Sequence, residues 1–140
     1  MIVLDTNVVS ESMRPRPNAS VRAWMDAQIP SDLHITAINE AELRIGVALL
    51  PRGNRRNDLL LAINTALARH FAARIVGFDS AAAVAFADIV AHRRSIGHPI
   101  SQFDAQIAAI CKARGATLAT QNVADFADIG LKLINPWGAG

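Results

Sequence analysis

The sequence has 140 residues, 51% of them hydrophobic, a formal net charge of +2 and a single cysteine. That composition excludes a disordered chain and an internal disulfide. No apolar run reaches the roughly 18 residues of a membrane span, so no membrane association is expected.

One domain over residues 1–140 is the simplest organisation for this length. The N-terminal residues lack a basic start followed by an apolar core, so no signal peptide is expected. The lone Cys111 suits a reducing cytoplasm. His34, His70, His92 and His98 show no zinc-type spacing. Arginine supplies nearly all the positive charge, Lys112 and Lys132 being the only lysines. Arginine suits bidentate phosphate contacts, and charge alone leaves a nucleic-acid partner open.

MIVLD reads as a strand, with a short helix from about Thr6. RPRPNAS breaks the chain, and Asn18 stands where it would cap SVRAWMDAQI, which Pro30 ends. LHITA reads as a second strand, INEAELRIGVALL as a helix and PRGN as a turn. A long helix is expected from about Asn54 to Ala73, with Leu59, Ile63, Ala66, Leu67 and His70 on one face. RIVGF is a third strand, and Asp79 caps a helix to about Ile96 that GHP breaks. SQFDAQIAAICKAR is a helix stopped by Gly115, and TLAT and LKLIN are the last two strands. Alternating strands and helices imply an α/β fold with a mainly parallel sheet of about five strands, covered on both sides.

In such a sheet, sites form outside the carboxyl ends of the strands. Asp5 ends the first strand. In INEAELRIGVALL, a stripe of Ile38, Ile45 and Leu49 has Glu42 inside it, while Glu40 and Arg44 fall on the opposite side. Asp104 precedes Ile107, Ala108 and Cys111 on one helix face, in the first turn. Each acid has an ordinary alternative: Asp5 as a helix cap, Glu42 as a partner of an arginine, Asp104 as a first-turn acid. Three inward acids together would repel and raise one another's pKa, and a divalent cation removes that repulsion. Oxygen-only ligands point to Mg²⁺ or Mn²⁺, and to metal-assisted hydrolysis of a phosphodiester.

These residues resemble a known family. A first strand ending DTN, AEL with Glu42, SQFDAQIAA with Asp104 and TQNVADF after a strand are similar to the PIN domains. More narrowly, the chain resembles the VapC/FitB-like toxins of bacterial toxin–antitoxin pairs. RPRPN, ELRIGVALL and the terminal NPW resemble the FitB-like branch. The resemblance implies a three-layer α/β/α sandwich and a Mg²⁺- or Mn²⁺-dependent endoribonuclease acting on single-stranded or looped RNA. It implies the toxin of a type II pair, a homodimer, and a small DNA-binding antitoxin that blocks the site, with higher hetero-oligomers on operator DNA. The family's three acids match Asp5, Glu42 and Asp104, its metal ligands. Thr6 and Asn7 would orient the first acid or a water.

The chain departs from the family at the fourth position. Members often carry an acid two residues after a strand-ending threonine, here Thr120, and this chain has Asn122. Asn122 offers a carbonyl oxygen without charge, and Asp125 is the nearby acid that could substitute. The alternative function is a catalytically impaired PIN domain, kept as a protein-binding subunit of an antitoxin–operator complex. Arg93 and Arg94 read as complements to a helix dipole. Trp137 reads as part of an exposed tail that could pack in a subunit interface.

Overall fold

In the computed structural model, which describes residues 1–138, the apolar runs become five short strands. They are β1 (Ile2–Leu4), β2 (Leu33–Thr36), β3 (Ile75–Val76), β4 (Thr117–Ala119) and β5 (Leu133–Ile134). They form one sheet in the order β3-β2-β1-β4-β5, and every pairing is parallel. Successive strand residues point to opposite faces. Leu4, Leu33, Ile35 and Ala119 thus join one core, and Val3, Val76 and Leu118 the other. Both faces need cover, which is why the strands are apolar throughout.

The first core packs against α1 (Thr6–Ser12), α2 (Ala19–Asp26), α3 (Ala37–Ala48) and α4 (Asn54–His70). The second packs against α5 (Ser80–Ser95) and α6 (Gln102–Arg114), giving the expected three layers. Asn18 caps α2 and Asp79 caps α5, each through its side chain. Gly115 ends α6 in the left-handed region at φ 62°, a conformation that glycine adopts without a Cβ penalty. α6 is buried on most of its circumference, from Ala105 to Cys111. Burial pushes the Cys111 thiol up to about 12, so it acts as a small apolar filler.

Four expectations about faces and ends are corrected. The inward stripe of α3 is Asn39, Leu43 and Val47, while Ile45 and Leu49 are exposed. α4 stops at His70, not Ala73, and buries only Ile63 and Leu67, leaving Leu59 and His70 exposed. Trp137 is half-buried and packs against the first core. Arg93, read only as a complement to the helix dipole, is buried. No helix among the described residues is long and apolar enough to cross a membrane.

Candidate active site

β1 is flanked by β2 on one side and β4 on the other, so the chain order reverses between β1 and β4. Helices leaving neighbouring strands on opposite faces open a crevice there. Asp5 lies one residue past β1, and Thr120 one residue past β4. The Asp5 N–H donates to Ala119 O at 2.8 Å and extends the pairing to the carboxylate itself. Asp5 is 6% exposed. Its Oδ1 accepts from the Thr6 N–H at 2.9 Å and its Oδ2 from Thr120 Oγ1 at 2.7 Å. The cap and the pocket wall are therefore one placement. Each carboxylate oxygen keeps further acceptor capacity beyond its one bond.

Glu42 reaches the same crevice from α3. Its Oε1 accepts from Thr6 Oγ1 at 2.8 Å. Behind that bond runs a buried relay that begins at the N-terminus of α3. The Thr36 N–H and hydroxyl both donate to Asn39 Oδ1, at 2.8 and 2.7 Å. This turns Asn39 Nδ2 toward Thr6 Oγ1, to which it donates at 3.1 Å. Since Thr6 Oγ1 accepts there, its own proton is directed at Glu42. The relay is a capping box with asparagine in the role more often held by Glu or Gln.

Asp104 enters from the first turn of α6, where Ser101 caps the helix by accepting from the Asp104 N–H at 3.3 Å. The carboxyl groups of Asp5, Glu42 and Asp104 all lie above their ordinary pKa range. Burial is the largest cause for each. Hydrogen bonds from Thr120, Thr6 and Ser101 offset part of it, and neighbouring carboxylates add to it. Asp5 and Asp104 raise Glu42, Asp5 and Asp125 raise Asp104, and Asp125 raises Asp5.

No ion pair among the described residues compensates these charges, and only the Arg93 guanidinium, at longer range, lowers Asp104. The ion pairs among the described residues are Arg14–Glu11, Arg22–Asp26 and Arg44–Glu40, none of them in the crevice. Arg44 thus pairs with Glu40 at 2.8 Å and not with Glu42, which removes the arginine-partner alternative. Among the described residues no three His, Cys, Asp or Glu groups converge on one point as a ready-made ligand set. The acids share a cleft without meeting. Hard oxygen donors of one sign, with spare lone pairs and no paired cation, fit a divalent ion that keeps several of its own waters.

The other expected residues divide. Asn7 Oδ1 accepts from the Gln121 N–H at 3.4 Å and ties α1 to the segment after β4. Asn122 is exposed, and its N–H donates to Thr120 Oγ1 at 3.0 Å, while its side chain caps nothing. Asp125 sits in the 3₁₀ turn Val123–Phe126, exposed, and is felt electrostatically by both Asp5 and Asp104. The structure thus gathers Asp5, Glu42, Asp104 and Asp125 with Thr6 and Thr120, and leaves the Asn122 side chain outside the hydrogen-bonded set. Sequence reasoning missed Thr36 and Asn39. The T-x-x-N spacing at the strand–helix junction is the signal that could have found them.

A family model described as PIN domain matches residues 2–131. The chain is 44% identical over 139 residues to Plasmid stability protein StbB of Pseudomonas syringae pv. tomato, covering 99% of this chain and 100% of that one. It is 41% identical over 137 residues to Toxin FitB of Neisseria gonorrhoeae, covering 98% and 99%. It is 40% identical over 137 residues to the VapC ribonuclease Y4jK of Sinorhizobium fredii, covering 98% of each chain. A solved structure of FitAB bound to a DNA fragment superposes with a TM-score of 0.91 at 39% identity, covering 100% of this chain and 98% of that one. With an all-parallel five-stranded sheet and acids gathered at its switch point, the chain belongs to the PIN-domain family, in its FitB/VapC-like branch.

Proposed function

We propose that the chain is the toxin of a type II toxin–antitoxin pair and an endoribonuclease that hydrolyses RNA phosphodiester bonds with Mg²⁺ or Mn²⁺. The observation that carries this reading is the set of one buried acid, Asp5, and two half-buried ones, Glu42 and Asp104, with no ion pair to any of them among the described residues. Toxin FitB and a VapC ribonuclease, both about as similar to this chain as to be near neighbours, support it.

Asp5, Glu42 and Asp104 would hold the ion. Such an ion, when bound, neutralises charge on a phosphate oxygen and makes a water more acidic at neutral pH. The chain's own residues keep the acids in register. Thr120 and the Thr6 N–H fix the two oxygens of Asp5, and the Thr36–Asn39–Thr6 relay fixes Glu42. Asp104 stands in the first turn of α6, where its carboxylate, disfavoured by burial and by neighbouring acids, gains from a bound cation.

The structure of FitAB bound to a DNA fragment supports a DNA-binding antitoxin as partner, and the proposal adds, from the family resemblance, a cytoplasmic homodimer that joins the antitoxin on operator DNA. The test is incubation of the purified protein with structured RNA in Mg²⁺ or Mn²⁺, with and without EDTA. Discrete fragments that disappear with EDTA are expected. Cleavage that persists in EDTA would exclude the mechanism.

A further inference from the structure

Arg93 occupies the last turn of α5 and is only 7% exposed, whereas its neighbour Arg94 is exposed. A role confined to the helix dipole is served by an exposed arginine, so the burial of Arg93 needs a separate cause. No carboxylate among the described residues forms an ion pair with it. A buried guanidinium without an ion-paired carboxylate is costly, and here three main-chain carbonyls offset the cost, with Asp104 a favourable charge at longer range. Arg93 Nε donates to His98 O at 2.6 Å. Nη1 donates to Asp125 O at 2.9 Å and to Ala127 O at 3.0 Å.

These three carbonyls belong to two segments, the connection that precedes α6 and the turn that carries Asp125. His98 lies in the connection that leads into α6 and Asp104, and its N–H donates back to Arg93 O at 2.9 Å. Asp125 and Ala127 flank Phe126, which is 1% exposed. The turn is therefore held at two points, by a buried ring and by a buried cation, while Asp125 stays exposed and near enough to Asp5 and Asp104 for its charge to raise both. A lysine ammonium carries the charge but lacks the planar fork that meets both segments at once.

We propose that Arg93 is a positioning residue that holds the turn Val123–Phe126 against the pocket, so that Asp125 and not Asn122 serves as the fourth acid. The inference rests on the functional reading above and deepens it. It explains how the chain keeps a fourth carboxylate although the residue two after Thr120 is an asparagine. Arg93 acts through the main chain of Asp125; its charge also favours the Asp104 anion, and a lysine at this position keeps that charge while losing the fork.

The test is a calorimetric Mn²⁺ titration of the full chain as wild type, Arg93→Lys, Asp125→Asn and the double variant. Each single change is expected to weaken Mn²⁺ binding about tenfold. The double variant is expected to match Asp125→Asn within about twofold, because the two residues act on one group. A merely structural arginine predicts instead that the losses multiply, and that result would overturn the proposal. Unchanged affinity in Arg93→Lys overturns it too. Should Arg93→Lys not fold, Asp125→Asn decides alone, since wild-type affinity in that variant removes the fourth acid. Failure of the wild type to bind Mn²⁺ at all would instead remove the functional reading itself, and this inference with it.

Discussion

At the scale of single residues, the chemistry rests on hydroxyls and amides that aim carboxylates. Thr6 both accepts from Asn39 and donates to Glu42, so its proton has one direction. Thr6→Val should leave Asn39 Nδ2 buried without a partner and free Glu42 from its only side-chain donor. The expected outcome is a loss of about 1–3 kcal/mol in denaturant unfolding, with RNA cleavage falling about 10- to 100-fold at unchanged metal concentration. Asp5, Glu42 and Asp104 also give the metal-free protein a pH signature. Their pKa values are raised on folding above ordinary values of 3.8 and 4.5. The folded state then holds more protons than the unfolded state through that window. Their contribution to stability is complete below about pH 4 and is lost as pH rises through the raised values. Melting temperatures in EDTA should show a smaller loss between about pH 4 and pH 7 for Asp5→Asn than for wild type. The acids were legible in the sequence because a charge in an apolar pattern stands out. The distant contacts of Asn39 and Arg93 were not, because Thr6 and Asp125 lie 33 and 32 residues away.

At the scale of elements, the strands and caps could be read directly, and helix faces less well. Asn18, Asp79 and Gly115 act over one to three residues, so the chain itself announces them. α3 was set to the wrong face because its buried stripe opens on Asn39, a polar residue that hydrophobic periodicity does not count. Ile38, Ile45 and Leu49 then appeared to define the inward side, although Leu49 is 80% exposed. Glu42 still reaches the pocket, since it flanks the true stripe beside Leu43. α4 misled in a related way: its leucines crowd the sequence, yet only Ile63 and Leu67 are buried. The difference between the two kinds of position is measurable. Ile107→Ala, in the fully buried face of α6, should cost about 2–5 kcal/mol in denaturant unfolding. Leu49→Ala should stay within about 0.5 kcal/mol.

At the scale of the whole molecule, the arrangement follows from one topological fact. The sheet runs outward from β1 in two directions, and the helices that return on opposite faces cannot close over its carboxyl edge. Asp5 stands at that edge by chain order alone. α3 delivers Glu42 from one layer and α6 delivers Asp104 from the other, so the acidic pocket exists only when both layers are packed. This long-range convergence could be suggested from the sequence by acids on inward faces, and the family resemblance added the order in which they meet. The most direct test is the rate of RNA cleavage by Asp5→Asn against wild type at saturating Mn²⁺, with both proteins shown to be folded. The account predicts a loss of about a hundredfold or more, because Asp5 is the one acid hydrogen-bonded to both Thr6 and Thr120. Cleavage by Asp5→Asn at the wild-type rate would contradict it.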